Sequence, residues 1–380
     1  MRYIELEAGR AEQALDAWQA EMPLAGVLVL LAEADKDKLP LLQSACRSRG
    51  IELAGAIFPA LIVDQQFVGT GAWLLPFPVM PPVFLLPELN TGDQPALARM
   101  VAAVRTGLQE LPADSAKPTL FLLFDSMLPN VASLLDDLYL DIANRVDYAG
   151  VNAGSETFQP MPCLFDAEQV VGNGVLGLLL SGNARTVLEH GFRSPEKAMS
   201  ATSTAGNRIA MIDWRPAFAV YQEIIKANYG IELTRANFYQ YAVHFPFGIL
   251  CANGEVVVRI PVAVAEDDAL FCVGEVPENA MLVLLKAPSA GENDCIRRLA
   301  GKLHAGNGGI ENASLLTFYC AGRRMHLGET APSELAELYA DSRAATMAGA
   351  LSLGEIGSTV RRGYPLFHNA TLVSMPWRPA

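Results

Sequence analysis

The chain has 380 residues, 51% of them hydrophobic and 18% charged, and a formal net charge of −13. That length fits about two domains of roughly 100–200 residues, the composition argues against disorder, and a broadly acidic surface repels phosphate backbones and disfavours nucleic-acid binding. The longest apolar run, FVGTGAWLLPFPVMPPVFLL, is broken by prolines and glycines, whereas a membrane-spanning helix needs about 20 apolar residues without such breaks.

In chain order, the N-terminal MRYIELEAGRAEQALDAW is acidic where a signal peptide would be apolar, so the protein is expected in the cytoplasm. A helix is predicted around Ala11–Ala20, followed by a buried strand GVLVLLA, a helix through Leu42–Arg49 and a strand ELAGAIF. The same order recurs. Leu97, Val101, Val104 and Leu108 line one helix face, TLFLLFD reads as a strand buried on both faces, Val131 to Ile142 form a second helix, and VDYAGVNAG a second strand. Segments 162–165 and 175–180 are then expected to pair as a hairpin. A strand, a crossover helix and a parallel strand make a βαβ unit.

The middle differs. Pro216 stands at a favourable first helical position before an amphipathic helix over Ala217–Ala227. Short strands follow, with turns at Asn253-Gly254 and at Glu266-Asp267-Asp268. A boundary is expected near Trp214–Ala217, giving domains 1–215 and 216–380. The repeated order then returns a third time, with a helix around Cys295–Leu303, SLLTFYCAG, a helix around Leu335–Ser342, TMAGALSLGEIG and ATLVSM. Each copy carries an Ala-Gly pair in its second strand: Ala54-Gly55, Ala149-Gly150 and Ala348-Gly349. The expected fold is α/β, with mixed sheets built from repeated helix-strand-helix-strand-hairpin units and covered by helices on their outer faces.

Several residues are candidates for chemistry. Arg323 falls at the C-terminal edge of a predicted strand, where open α/β sheets bind ligands, and Glu355 follows the partner strand. The pair would suit a zwitterionic or anionic ligand, an amino acid or a small anion, through charge-assisted hydrogen bonds, or would be an ion pair that ties two loops. Cys320 is either a small buried thiol or a nucleophile, activated by Arg323 and Arg324 with His326 or His368 as base, which would make the protein a cysteine-dependent enzyme. His190 and His244 are either core residues or candidate haem axial ligands. The six cysteines are scattered without ligand spacing, so neither a disulfide framework nor a zinc site is expected.

The segment SATSTAGNRIAMIDWRPAFAVYQEII resembles the junction of the FIST N- and C-terminal domains, where a sequence of the type EGN-aromatic/aliphatic-ELDGRPALEVY recurs. Asn207, Asp213, Arg215, Pro216 and Ala217 hold that pattern. HFPFGI, RIPVAVAEDDALFCVGEVPENAMLVLL, CAGRR, GEIG and LFHNATLV resemble the C-terminal domain, and YAGVNAGSETF and LLFDSM elements of the N-terminal one. The sequence departs from the pattern at Asn152 and Ser155, where Ser and Asp are common, and near Phe58-Pro59, where a Cys-Ser/Thr-x-Gly-Glu stretch is absent. The resemblance implies an intracellular ligand-binding sensory protein without enzymatic activity, acting with a separate histidine kinase or cyclic-di-nucleotide enzyme. One branch resembles haem proteins that sense nitric oxide. Under this resemblance Arg323, Glu355, His368, Asn369, Asn152 and Ser155 are the expected ligand-contacting set.

Overall fold

A computed structural model describes residues 1–90, 95–182, 184–192, 197–286, 294–358 and 363–378. The first repeat comprises β1 (Arg2–Ile4), α1 (Arg10–Glu21), β2 (Gly26–Ala32), α2 (Leu39–Arg47), β3 (Glu52–Phe58), the hairpin β4 (Leu61–Val63) and β5 (Gln66–Val68), and β6 (Ala72–Phe77). The second runs through β7 (Val83–Leu86), α3 (Ala96–Glu110), β8 (Thr119–Asp125), α4 (Val131–Ile142), β9 (Asp147–Ala153), β10 (Leu164–Asp166), β11 (Val170–Val171) and β12 (Val175–Leu180).

After β13 (Val187–Glu189) comes an insert. It contains β14 (Ala198–Ser200), β15 (Ser203–Ala205), β16 (Arg208–Ile212), β17 (Arg215–Pro216), α5 (Ala217–Tyr229), α6 (Phe238–Ala242), β18 (Phe247–Leu250), β19 (Val256–Arg259), β20 (Pro261–Val264), β21 (Leu270–Cys272) and β22 (Met281–Leu284). The third repeat follows as α7 (Cys295–Asn307), β23 (Ser314–Cys320), α8 (Ala321–Leu327), α9 (Ala331–Ser342), β24 (Thr346–Ser352), β25 (Glu355–Gly357), β26 (Leu366–His368) and β27 (Leu372–Pro376).

Each repeat centres on one parallel pair, β2/β3, β8/β9 or β23/β24, inside a six-stranded sheet. Each second strand then accepts a hairpin from a different repeat. The hairpin β4/β5 pairs with β24, β10/β11 with β3, and β25/β26 with β9. The exchange closes into a ring, and its register repeats: Ile62, Phe165 and Ile356 lie opposite Gly349, Gly55 and Gly150. This explains the departure from the hairpin expected between segments 162–165 and 175–180. The first turns back on β11 and crosses to the sheet of the first repeat, while β12 returns beside β8.

Alternation along the strands divides the core. In β8, Phe121 and Leu123 face a central cluster shared by all three repeats, whereas Leu120, Leu122 and Phe124 pack under α3 and α4. In β23, Leu316 and Phe318 face the centre, and Leu315 and Tyr319 pack under α7 and α9. Phe318 meets both Phe58 and Phe121, with ring centroids 5.7 and 5.9 Å away. The second strands converge at their C-terminal ends, where the Gly154 N–H donates to the Ile57 carbonyl and the Leu353 N–H to that of Asn152. Their centre-facing side chains are small, Ala54, Ala56, Ala149, Ala348 and Ala350 among them.

The insert forms two sheets, β14-β22-β18-β19 and β15-β16-β21-β20, that share one core with α5. Turns fall between β18 and β19 at Asn253-Gly254 and between β20 and β21 at residues 266–268, as the turn residues imply. Buried Arg259 ties the insert to the third repeat: its Nη1 donates to the Phe367 carbonyl at 2.7 Å.

The Ala-Gly signature follows from backbone proximity. A Cβ on Gly349 would lie 1.6 Å from the Thr317 carbonyl oxygen, and one on Gly150 2.1 Å from that of Leu122; each is the cross-strand partner in the parallel pair. Gly349→Ala is expected to lower stability by about 3 kcal/mol or to prevent folding, since fixed backbone must move. Gly301→Ala, in a helix with open space around it, should add up to about 1 kcal/mol. Urea unfolding of the two variants checks the contrast.

Candidate functional site

The third copy departs from its siblings at one repeated place. The first cross-strand pair of the exchanged hairpin is Leu61 opposite Val68 in the first copy and Leu164 opposite Val171 in the second, but Glu355 opposite His368 in the third. Architecture asks for an apolar pair there, and two copies supply it. Both Glu355 and His368 are fully buried.

Glu355 is held from several sides. Ser352 Oγ and Thr371 Oγ1 each donate to its carboxylate at 2.6 Å, and the Thr371 N–H at 3.3 Å. Burial nevertheless pushes its pKa up to about 7, with these donors and the Cys320 thiol pulling it back. His368 has no hydrogen-bond partner on either ring nitrogen; the Gly357 backbone approaches without meeting bonding geometry. Burial, then the charges of His190 and Arg259, pushes it down to about 3. Beside it Asn369 donates from Nδ2 to the His368 carbonyl at 3.1 Å, while its buried Oδ1 is unpartnered. Asn152 lies across the seam. Its N–H donates to the Gly354 carbonyl, its carbonyl accepts from Leu353, and its buried Oδ1 is also unpartnered.

Arg323 and Glu355 do not pair. The short helix α8 turns Arg323 inward to Glu334 on α9, with Nε and Nη2 each 2.7 Å from a carboxylate oxygen. Tyr319 donates to the same carboxylate, and Nη1 donates to the carbonyls of His190 and Ala370. Arg323 is 1% exposed, so its donors serve the fold. Glu334 carried no motif; its position four residues before Leu338 on the inner face of α9 was the available signal.

Cys320 ends β23 with its sulfur accepting the Ala370 N–H at 3.0 Å and facing Glu355. Burial, then the Glu355 charge, pushes its thiol well up, which favours a thiol donor over the thiolate that nucleophilic chemistry requires. His326 faces His244 across the insert, Nδ1 to Nδ1. His190 accepts the Phe192 N–H on Nδ1 at 3.0 Å, and burial pushes it down to about 4. A haem needs an axial nitrogen directed into an open pocket; neither His190 nor His244 lines the cleft described next. Among the described residues no three or more His, Cys, Asp or Glu side chains gather as a metal site, and no helix is long and apolar enough to cross a membrane.

A cleft enclosing about 40 Å³ opens above this polar layer, between α8 and the insert. Cys320, Ala321, Gly322 and Asn369 form its floor, Ile260, Val262 and Val273 one wall, and Tyr239 and Met325 part of the rim. Ser155 bonds Thr157 at 2.8 Å and opens the loop that carries Glu156 and Phe158 to the same cleft. Glu156 there meets Arg324 at 2.7 Å. Its place at the C-terminal ends of a parallel pair is where α/β sheets bind ligands.

Sequence models of the FIST N domain and the FIST C domain match residues 27–215 and 217–358. The chain belongs to the FIST family. No curated protein matches it. FIST domains are small-ligand sensory domains of signal transduction, and the third copy of this FIST protein places its polar seam directly beneath the cleft.

Two measurements probe the seam. Keeping His190 and His368 neutral contributes stability that is complete above their ordinary value of 6.5 and is lost as pH falls toward about 4 and about 3. Glu355 acts in the opposite sense: its folded form holds the proton more tightly, so stability declines as pH rises from 4.5 to about 7. In urea unfolding across pH 4–8, Glu355→Leu should remove a pH-dependent contribution on the order of 3 kcal/mol from that window, and adding His368→Val should flatten the acid side. Arg323→Met, which leaves Glu334 buried without its cation, should cost about 3–5 kcal/mol, and Arg323→Lys should not restore the bidentate contact.

Proposed function

We propose that this protein is an intracellular sensor that binds a small ligand in the cleft between the third repeat and the insert, and that it signals to a separate output protein, a histidine kinase or a cyclic-di-nucleotide enzyme. The observation that carries the reading is the replacement of a repeated apolar pair by Glu355 and His368 directly below that cleft. A buried ionisable pair costs stability that an apolar pair would not, and it stands in the one copy whose strand ends floor the cleft. Asn369 and Cys320 would touch the ligand, while Glu355, His368 and Asn152 respond behind them and Ser155 positions the rim loop.

A route for the signal follows from connectivity. Cys320 belongs to the sheet of the third repeat, whereas Glu355 sits on a hairpin lodged in the sheet of the second. A ligand that shifts Cys320 therefore acts on the seam between two sheets. Helix α8 is further joined to the insert by His244–His326 and to the rim loop by Glu156–Arg324, contacts that a bound ligand can tighten or release.

A thermal-shift screen of a small-molecule library tests the reading, because a ligand of the native state raises the melting temperature. A hit should protect the parent protein and fail to protect Met325→Trp, which fills the rim. With Glu355→Leu, His368→Val the same hit should still bind but no longer change amide exchange in β9 and β25. Hits that protect Met325→Trp equally would place binding elsewhere and overturn the proposal.

A further inference from the structure

Resting on that reading of the cleft, we infer that its ligand is a neutral, mainly apolar molecule carrying one hydrogen-bond donor, an O–H or N–H that it presents to Asn369 Oδ1. Among the described residues, the charges at the floor and rim that could recognise an anion or an amino acid are already engaged. Arg323, which follows the floor residue Gly322, is 1% exposed, and its donors go to Glu334 and to the carbonyls of His190 and Ala370. Arg324 is paired with Glu156, and the Glu156 carboxylate is the charged group at the rim. With a net charge of −13 on the chain, the surrounding field also works against an anion.

What the cleft offers is apolar surface from Ile260, Val262, Val273 and Leu353 and, among the described residues, one unanswered acceptor. Asn369 is 1% exposed, its Nδ2 is committed to the His368 carbonyl, and its Oδ1 has no partner. A buried acceptor without a partner is unfavourable, so a donor arriving with an apolar body gains twice. It fills the cleft by removing apolar surface from water, and it satisfies the oxygen. A site built around a hydrogen bond discriminates strongly against an isostere that lacks the group.

The probes are 4-butylphenol and its methyl ether 4-butylanisole, which share a body and differ in the donor, with glutamate, benzoate and inorganic phosphate as charged comparators. In calorimetry and thermal shift on the full chain, 4-butylphenol should bind at least about tenfold more tightly than 4-butylanisole, and the charged compounds should not bind. Asn369→Leu should remove the preference while leaving apolar binding. Should that variant not fold, Met325→Trp, on the partly exposed rim, should abolish binding of both probes. Equal affinity of the two probes, or no binding of either, overturns the inference. Tight binding of glutamate, benzoate or phosphate that Met325→Trp abolishes also overturns the ligand class, yet leaves the sensor reading standing. Binding of 4-butylphenol that survives Met325→Trp locates the ligand elsewhere and overturns both.

Discussion

The fold depends on a closed exchange of hairpins. Each parallel pair ends in a strand whose outer edge is completed by a hairpin from another repeat, and the three exchanges return to their start. No repeat completes its own sheet, so each relies on the other two. The cost is geometric, because three strand ends must converge with their backbones in hydrogen-bond contact. Glycine at the point of closest approach to the parallel neighbour, flanked by small residues, meets that requirement. The unpaired strand edges that would otherwise invite association are thereby covered from within.

The repetition also supplies an internal control. Where three copies serve one architectural purpose, a position that is apolar in two and ionisable in the third cannot be explained by that purpose. Ile62, Phe165 and Ile356 stay apolar at the middle of the hairpin in every copy, while the adjacent pair changes from Leu–Val to Glu–His. The contrast separates Glu355 and His368 from Arg323. Arg323 has a sufficient structural account in Glu334, Tyr319 and two carbonyls.

The three repeats were legible in the sequence because each strand is a short continuous apolar run and each helix has a clear 3.6-residue period, as in Val131–Ile142. The exchange was not legible. Adjacent short strands such as Leu164–Asp166 and Val175–Leu180 look like a local hairpin, and nothing local states that one of them crosses to another sheet. The same limit applied to the site. Arg323 and Glu355 stand at the expected strand ends, but α8 rotates the arginine toward α9, and a seven-residue helix following a strand leaves little periodic signal. The cleft wall was hidden because Ile260 and Val262 read as ordinary strand residues of the insert.

The energetics of the seam bear on how occupancy of the cleft would be felt. Glu355, with a pKa near 7, changes charge close to neutrality, while His368 beside it remains neutral. The carboxylate is balanced between burial, which favours the protonated form, and its donors, which favour the charged one. Cys320 is both one of those donors and part of the cleft floor. An apolar body placed over the floor excludes water from one side of this balance, strengthening burial and favouring proton uptake at Glu355. A protonated Glu355 becomes a donor in a layer whose nearby unanswered groups include acceptors, the Asn152 and Asn369 side-chain oxygens and one ring nitrogen of a neutral His368. A seam tuned in this way can take two hydrogen-bonding arrangements that differ by one proton, which a Leu–Val pair cannot.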